Sequence, residues 1–272
     1  MRNRAFLLAV ILFSWVALAH SDGQKLDSGP GAGRVFLYSA KKLGVPILKA
    51  SLYIENGSSA QGKSLYQIRA EVFSVNLGFL FRMNNRFIST VDAETCTPIR
   101  YIKEIDQDGL FKEKKNYLQT VTFDSHHQIV IVEKTGEKEK QEVPVPPETF
   151  DPLSMFARYY LKESLLPHQD IRMSIYDGVK LREMVFQPKQ ERVKSKIYGE
   201  VEAVCLKSTT SFASFEDKEG IIRIWYTSDA KKIPIVMELD LPVGSIRFEL
   251  NEIKEDGQQG NMREQGIRPR NH

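Results

Sequence analysis

Hydrophobic and polar positions alternate through most of this chain. In PILKASLYIE, Leu48, Ala50, Leu52 and Ile54 alternate with Lys49, Ser51 and Tyr53. In SLYQIRAEVFSV, Tyr66, Ile68, Ala70 and Val72 share one face, with Gln67, Arg69 and Glu71 on the other. A period of two marks a strand with one buried and one wet face. Similar runs recur at Arg86–Thr90, Ile99–Asp106, Lys115–Phe123, Ile129–Glu133, Ile171–Tyr176 and Lys180–Phe186. Later ones cover Lys194–Thr210, Ile221–Thr227, Pro234–Leu241 and Ser245–Ile253. Turn chemistry separates them, as in ENGSSAQG, DQDG, DSHH, YDG, EDKEG and TSDAKK. The pattern predicts a mainly β protein: about a dozen antiparallel strands in one strongly curved meander, an open or closed barrel-like sheet.

One segment follows a different period. In FDPLSMFARYYLKES, Asp151 is a natural N-cap and Pro152 suits the first helical position. Leu153, Phe156, Ala157, Tyr160 and Leu161 then fall on one helical face, predicting an amphipathic helix over about 151–164. The preceding VPVPPE reads as an extended, proline-stiffened connector. The helix is expected to pack on the sheet or to plug one end of a barrel.

The first residues read differently again. Arg2 and Arg4 precede an apolar run, Ala17-Leu18-Ala19 supplies a small-x-small site, and the pattern predicts a signal peptide over 1–19 cleaved after Ala19. The run falls short of the roughly 20 residues that span a bilayer, so an uncleaved anchor is the alternative. Periplasmic or secreted localisation follows. Residues 20–34 read as a flexible leader, 35–253 as one β-rich domain and 254–272 as a disordered tail.

Charge narrows the function classes. The net charge of +3 falls to +1 once Arg2 and Arg4 are removed, and basic residues lie in mixed runs such as KEKK and KTGEKEKQE. A nucleic-acid surface would cluster Lys and Arg among aromatics, so no nucleic-acid partner is expected. His126-His127 sits at a hairpin tip with the two side chains on opposite faces, His168 lacks supporting partners, and no metal or cofactor site is expected. No nucleophile motif is present, so an enzyme is not expected. Cys96 and Cys205 are a candidate disulfide pair in an exported protein, although Cys205, in an alternating strand, equally suits a small buried thiol.

Apolar side chains offer the remaining candidates. Leu77, Phe79, Phe81 and Phe87 cluster in VNLGFLFRMNNRF, and Phe156 and Tyr160 lie on the helix face. With Trp225 at a hairpin end, these are candidate linings of an amphiphile-binding cavity; a buried strand under the helix is the alternative for the phenylalanine cluster. Trp225 shares a face with Arg223, which is expected to stack against it.

The ordered set Asp151-Pro152-Leu153-Ser154, Asp177-Gly178, Trp225 with Ser228-Asp229, Pro234-Ile235 and Gly244 resembles the exported bacterial family termed domain of unknown function 3108, over roughly Phe36–Ile253. That resemblance implies a β-rich envelope protein and carries no catalytic residues. The combined expectation is a non-catalytic carrier of a lipid or other amphiphile, with peripheral membrane contact. A scaffolding partner of another envelope protein, or an envelope hydrolase, are the alternatives.

Overall fold

The computed structural model describes residues 33–42, 44–59, 62–75, 81–109, 112–166, 169–212, 218–241 and 244–255. The segments read as signal peptide, most of the leader and nearly all of the tail lie outside them, as do Leu77, Phe79 and His168.

Alternation becomes sheet through two series of hairpins. The first comprises β1 (Arg34–Lys42), β2 (Val45–Ser58), β3 (Ser64–Ser74), β4 (Arg82–Asp92), β5 (Pro98–Gly109), β6 (Lys112–Asp124), β7 (Ile129–Lys134) and β8 (Gln141–Pro144). Next come β9 (Thr149–Phe150) and the helix α1 (Pro152–Leu161). The second series is β10 (Ile171–Tyr176), β11 (Leu181–Ser195), β12 (Gly199–Phe212), β13 (Lys218–Thr227), β14 (Pro234–Leu241) and β15 (Gly244–Glu255). β1 pairs with β15, joining the two series into one sheet of 15 strands whose outermost members are β8 and β9. The run Lys194–Thr210, which reads as one strand in sequence, is divided by a turn before Gly199. β9 pairs with β10 in parallel; the other ladders are antiparallel.

The predicted faces are the observed ones. Leu48, Leu52, Ile54, Ile68, Ala70 and Val72 are buried on the concave side. Opposite them, charges pair across strands: Arg69 bonds Glu55 and Glu71 on the convex face, and its guanidinium lies 3.7 Å from the centre of the Tyr53 ring.

α1 lies inside the concavity rather than on its rim. Leu153, Phe156 and Tyr160 are buried as the helical period predicts, but so are Ser154, Met155 and Tyr159. The helix therefore has apolar neighbours on nearly every side. Phe156 stacks on Tyr226 of β13 with ring centres 6.0 Å apart, and Tyr160 meets the Phe36 ring of β1 edge-on at 5.5 Å.

Candidate functional site

The interior is organised by three fasteners, each built on a short polar motif. The first fixes the start of α1. Asp151 accepts hydrogen bonds from the backbone N–H groups of Leu153 and Ser154, and its own N–H donates to Ser154 Oγ at 2.9 Å, a reciprocal cap. The other oxygen of the carboxylate accepts the Ser89 hydroxyl of β4 at 2.6 Å. Asp151 is fully buried, and desolvation holds its carboxyl above the usual carboxylate range against the lowering effect of these donors.

The second fastener fixes the end of α1. Lys232, in the β13–β14 turn, donates to the carbonyls of Tyr159 and Glu163 at 3.0 and 2.7 Å. A cation at the C-terminal carbonyls meets both their unsatisfied acceptors and the negative end of the helix dipole. The turn that presents it is shaped by Asp229, which accepts from Thr227 Oγ1 at 2.6 Å and from the Lys231 N–H at 3.2 Å. The Pro234 carbonyl just beyond it takes the Tyr38 hydroxyl at 2.7 Å.

The third crosses the concavity. The β10–β11 turn, Asp177-Gly178, reaches the inner face of β5 and β6. Lys103 donates to the Asp177 carbonyl at 2.8 Å, and the Gln119 side-chain amide donates to the Gly178 carbonyl at 2.7 Å. Gly178 has φ +86°, a conformation that calls for glycine, and a Cβ there would meet Gln119 Oε1 at 2.8 Å and push that side-chain end aside. The Asp177 carboxylate shapes the turn by accepting the Val179 and Lys180 N–H groups, each at 2.8 Å, and pairs with Arg182 at 2.6 Å. Burial pushes the Lys103 ammonium down to about 8, against the opposing pull of Asp177.

Between the second strand series and α1 lies an apolar cleft of about 70 Å³. Leu153, Met155 and Phe156 of α1 form its floor. Ile222 and Ile224 of β13, with Met237 and Leu239 of β14, form the back wall. Ile175, Arg182 and Met184 close one side, and Thr210 and Ser211 of β12 the other. Arg182 Nε lies 3.5 Å from Ser211 Oγ across the mouth. Three of the lining side chains are methionines, which adapt their shape to what they contact.

The sequence candidates take different places. Phe156 lines the cleft, and Tyr160 stands beside it, bonded through its hydroxyl to Arg34 at 3.0 Å. Phe81 and Phe87 are buried in the core, Phe87 against the Tyr101 ring at 5.5 Å. Trp225 faces away from the helix, because Ile224 and Tyr226 on either side of it face inward. The cation over its ring is Arg247 at 5.3 Å; Arg223, expected there, pairs instead with Glu238 and Asp240. Cys96 and Cys205 are both buried free thiols rather than a bridge. Cys96 closes the turn between β4 and β5, whereas Cys205 lies opposite Trp225 on β12, with β13, β14, β15, β1, β2 and β3 between β12 and β4. His126 and His127 are exposed at the β6–β7 turn, where Asp124 accepts from both backbone N–H groups.

Lys103, Gln119, Ser89 and Lys232 were not readable as partners from sequence. Among the described residues, no group of three or more His, Cys, Asp or Glu is placed to hold a metal, and no helix is long and apolar enough to cross a membrane.

An incompletely closed, barrel-like antiparallel sheet wrapped around one internal helix is the class of fold that these contacts define. The chain belongs to the family described as "Protein of unknown function (DUF3108)", which matches residues 35–251. It is similar in fold to a β-barrel-like protein of domain of unknown function DUF1849 from Brucella abortus, at 12% identity and a TM-score of 0.51, covering 82% of this chain and 97% of that one. A hypothetical protein from Chlamydia trachomatis, CT021, aligns at 11% identity and a TM-score of 0.38 over 83% of this chain and 88% of that one. No curated protein matches the sequence.

Proposed function

We propose that this is an exported, non-catalytic cell-envelope protein that binds the apolar end of a lipid or other amphiphile in the cleft between α1 and the second strand series. The observation that carries this reading is the cleft itself: apolar on its floor and back wall, rich in methionine, and bordered at its mouth by Arg182, Thr210 and Ser211. Its about 70 Å³ is below the about 150 Å³ that admits benzene and far below the roughly 300 Å³ of the smallest usual ligand pockets. It therefore fits a short apolar tip at rest, and the rest of the ligand would lie outside, with its polar group beside the mouth. α1, fastened at both ends, serves as the floor rather than as the lid. The scaffolding alternative has less support, because among the described residues the large exposed apolar side chains are scattered, such as Val45 on β2 and Leu118 on β6, with only Ile197 and Tyr198 adjacent, in the β11–β12 turn.

The test is titration of the purified protein with cis-parinaric acid, a fluorescent fatty acid. Saturable binding that falls at least tenfold in Ile222→Trp, which enlarges a half-buried side chain of the back wall into the cleft, supports the reading. Absence of binding, or equal binding by Ile222→Trp with an unchanged circular dichroism spectrum, overturns it. Fractionation of cells expressing the full chain or a chain lacking residues 2–19 tests export separately; an equal distribution of the two rejects it.

A further inference from the structure

The β11–β12 ladder runs from Ser195↔Gly199 to Gln187↔Lys207 and ends there. Beyond it β11 continues as Leu181–Phe186, paired with β10, while β12 continues as Ser208–Phe212, paired with β13. The two strands thus part at Gln187-Pro188, and proline there offers no N–H to a ladder. The cleft opens in the angle between them, with Arg182 and Met184 on one bank and Thr210 and Ser211 on the other. On its far edge β10 pairs only with the two residues of β9.

The base of the β10–β11 hairpin is held by α1. The Tyr159 hydroxyl reaches Met173 Sδ at 3.2 Å, and its ring packs on Phe186 with centres 6.1 Å apart. The outer part, Ile175–Met184, is held at its start by Ile175 beside Phe150 of β9, at its side by the contact of Arg182 with Ser211, and at its tip by Lys103 and Gln119, which grip the carbonyls from across the concavity. That part also supplies a side of the cleft through Ile175, Arg182 and Met184.

We propose that Ile175–Met184 is a flap over the cleft, with Lys103 and Gln119 as the latch that keeps it shut. This rests on the reading of the cleft as a binding site and adds how a ligand larger than the resting cavity is admitted. Releasing the two tip carbonyls lets the outer hairpin swing from the Tyr159-held base, widening the angle between β11 and β12. Local openings of this kind need only the contacts of one segment to break, while the rest of the sheet stays folded.

Hydrogen exchange on the purified protein tests the flap without any ligand. Two variants loosen the latch by different means: Lys103→Met with Gln119→Leu removes both donors, and Gly178→Ala drives a methyl group against Gln119. The expected result for each is exchange at least tenfold faster in Ile175–Met184 than in the wild type, with β13–β15 unchanged. Exchange that is unchanged in the hairpin, or that rises equally throughout the sheet, overturns the proposal. The association rate of cis-parinaric acid is then read on the same variants, and at least threefold faster association than wild type is expected. No acceleration despite faster exchange overturns the gating role. Failure of the wild type to bind the probe at all rejects the amphiphile reading, whereas the exchange result alone decides whether the latched segment opens.

Discussion

Ser89 donates its hydroxyl to the Asp151 carboxylate at 2.6 Å, a buried bond between residues 62 positions apart that fixes the start of α1 to the inner face of β4. The same carboxylate caps the helix, so one side chain sets both where the helix begins and where it sits.

Replacing Asp151 with Ala removes an N-cap, typically about 1 kcal/mol, and leaves the Ser89 hydroxyl buried without its acceptor, about 1–3 kcal/mol more. The expected loss is therefore about 2–4 kcal/mol in urea unfolding. Asp151→Asn keeps a capping oxygen and should recover at least half of it. Equal losses for the two variants would show that the negative charge, rather than the cap, is what matters.

Lys103 gives a pH signature. Burial lowers it from 10.5 to about 8, so between those values the folded chain has released a proton that the unfolded chain still holds. More protons on the unfolded state means that this contribution to stability rises with pH and is absent below about 8. The stability difference between wild type and Lys103→Met should grow by about 2 kcal/mol from pH 7.5 to pH 10. A difference that stays flat across that range counts against a buried ammonium.

The two cysteines should behave as inert thiols. Burial pushes Cys96 up to about 11 and Cys205 up to about 12, so almost no thiolate exists at pH 8. Reaction with Ellman's reagent should wait for unfolding and then register two thiols per chain. Dithiothreitol should leave the unfolding midpoint where it was; a lower midpoint would reveal a bridge.

Trp225 reports on its true neighbour. In a Trp15→Phe background it is the single tryptophan. Arg247→Ala should shift its emission and cost about 1–2 kcal/mol, since the Trp225 ring is buried and Arg247 also pairs with Glu238 and Glu249. Arg223→Ala should leave the emission alone. The reverse outcome would place the other arginine over the ring.

Alternation exposed the strands because a one-residue period flip would send Leu52, Ile54 and Ile68 to water, and no other arrangement buries them. The helix was legible for a similar reason, since Asp151 and Pro152 start it and Leu153, Phe156 and Tyr160 repeat at its period. β5 was ambiguous about what it faces: Lys103 points inward between Tyr101 and Ile105, while Ile102 sits on the convex side. A lysine in such a strand reads as a wet-face residue until the Asp177-Gly178 turn, supplied from far along the chain, is seen to need a donor. The place where β11 and β12 part was hidden as well, because Gln187–Arg192 carries no alternation, so the legible run stops at Phe186 although β11 continues unbroken to Ser195. Periodicity records which side of a strand is buried; it is silent about which strand lies alongside.

The pairing of β1 with β15 has a consequence for how the chain is made. Arg34 lies opposite Glu255, so the centre of the sheet is assembled from the first and last strands. Such remote contacts raise contact order and slow folding, because a long loop must close before they form. A nascent chain carrying every strand but the last presents two vacant edges, on β1 and on β14, in the middle of its future sheet. Residues 244–255 therefore complete the sheet: until they pair, the two halves are joined through side-chain contacts such as those of Lys103 and Gln119 with the Asp177-Gly178 turn.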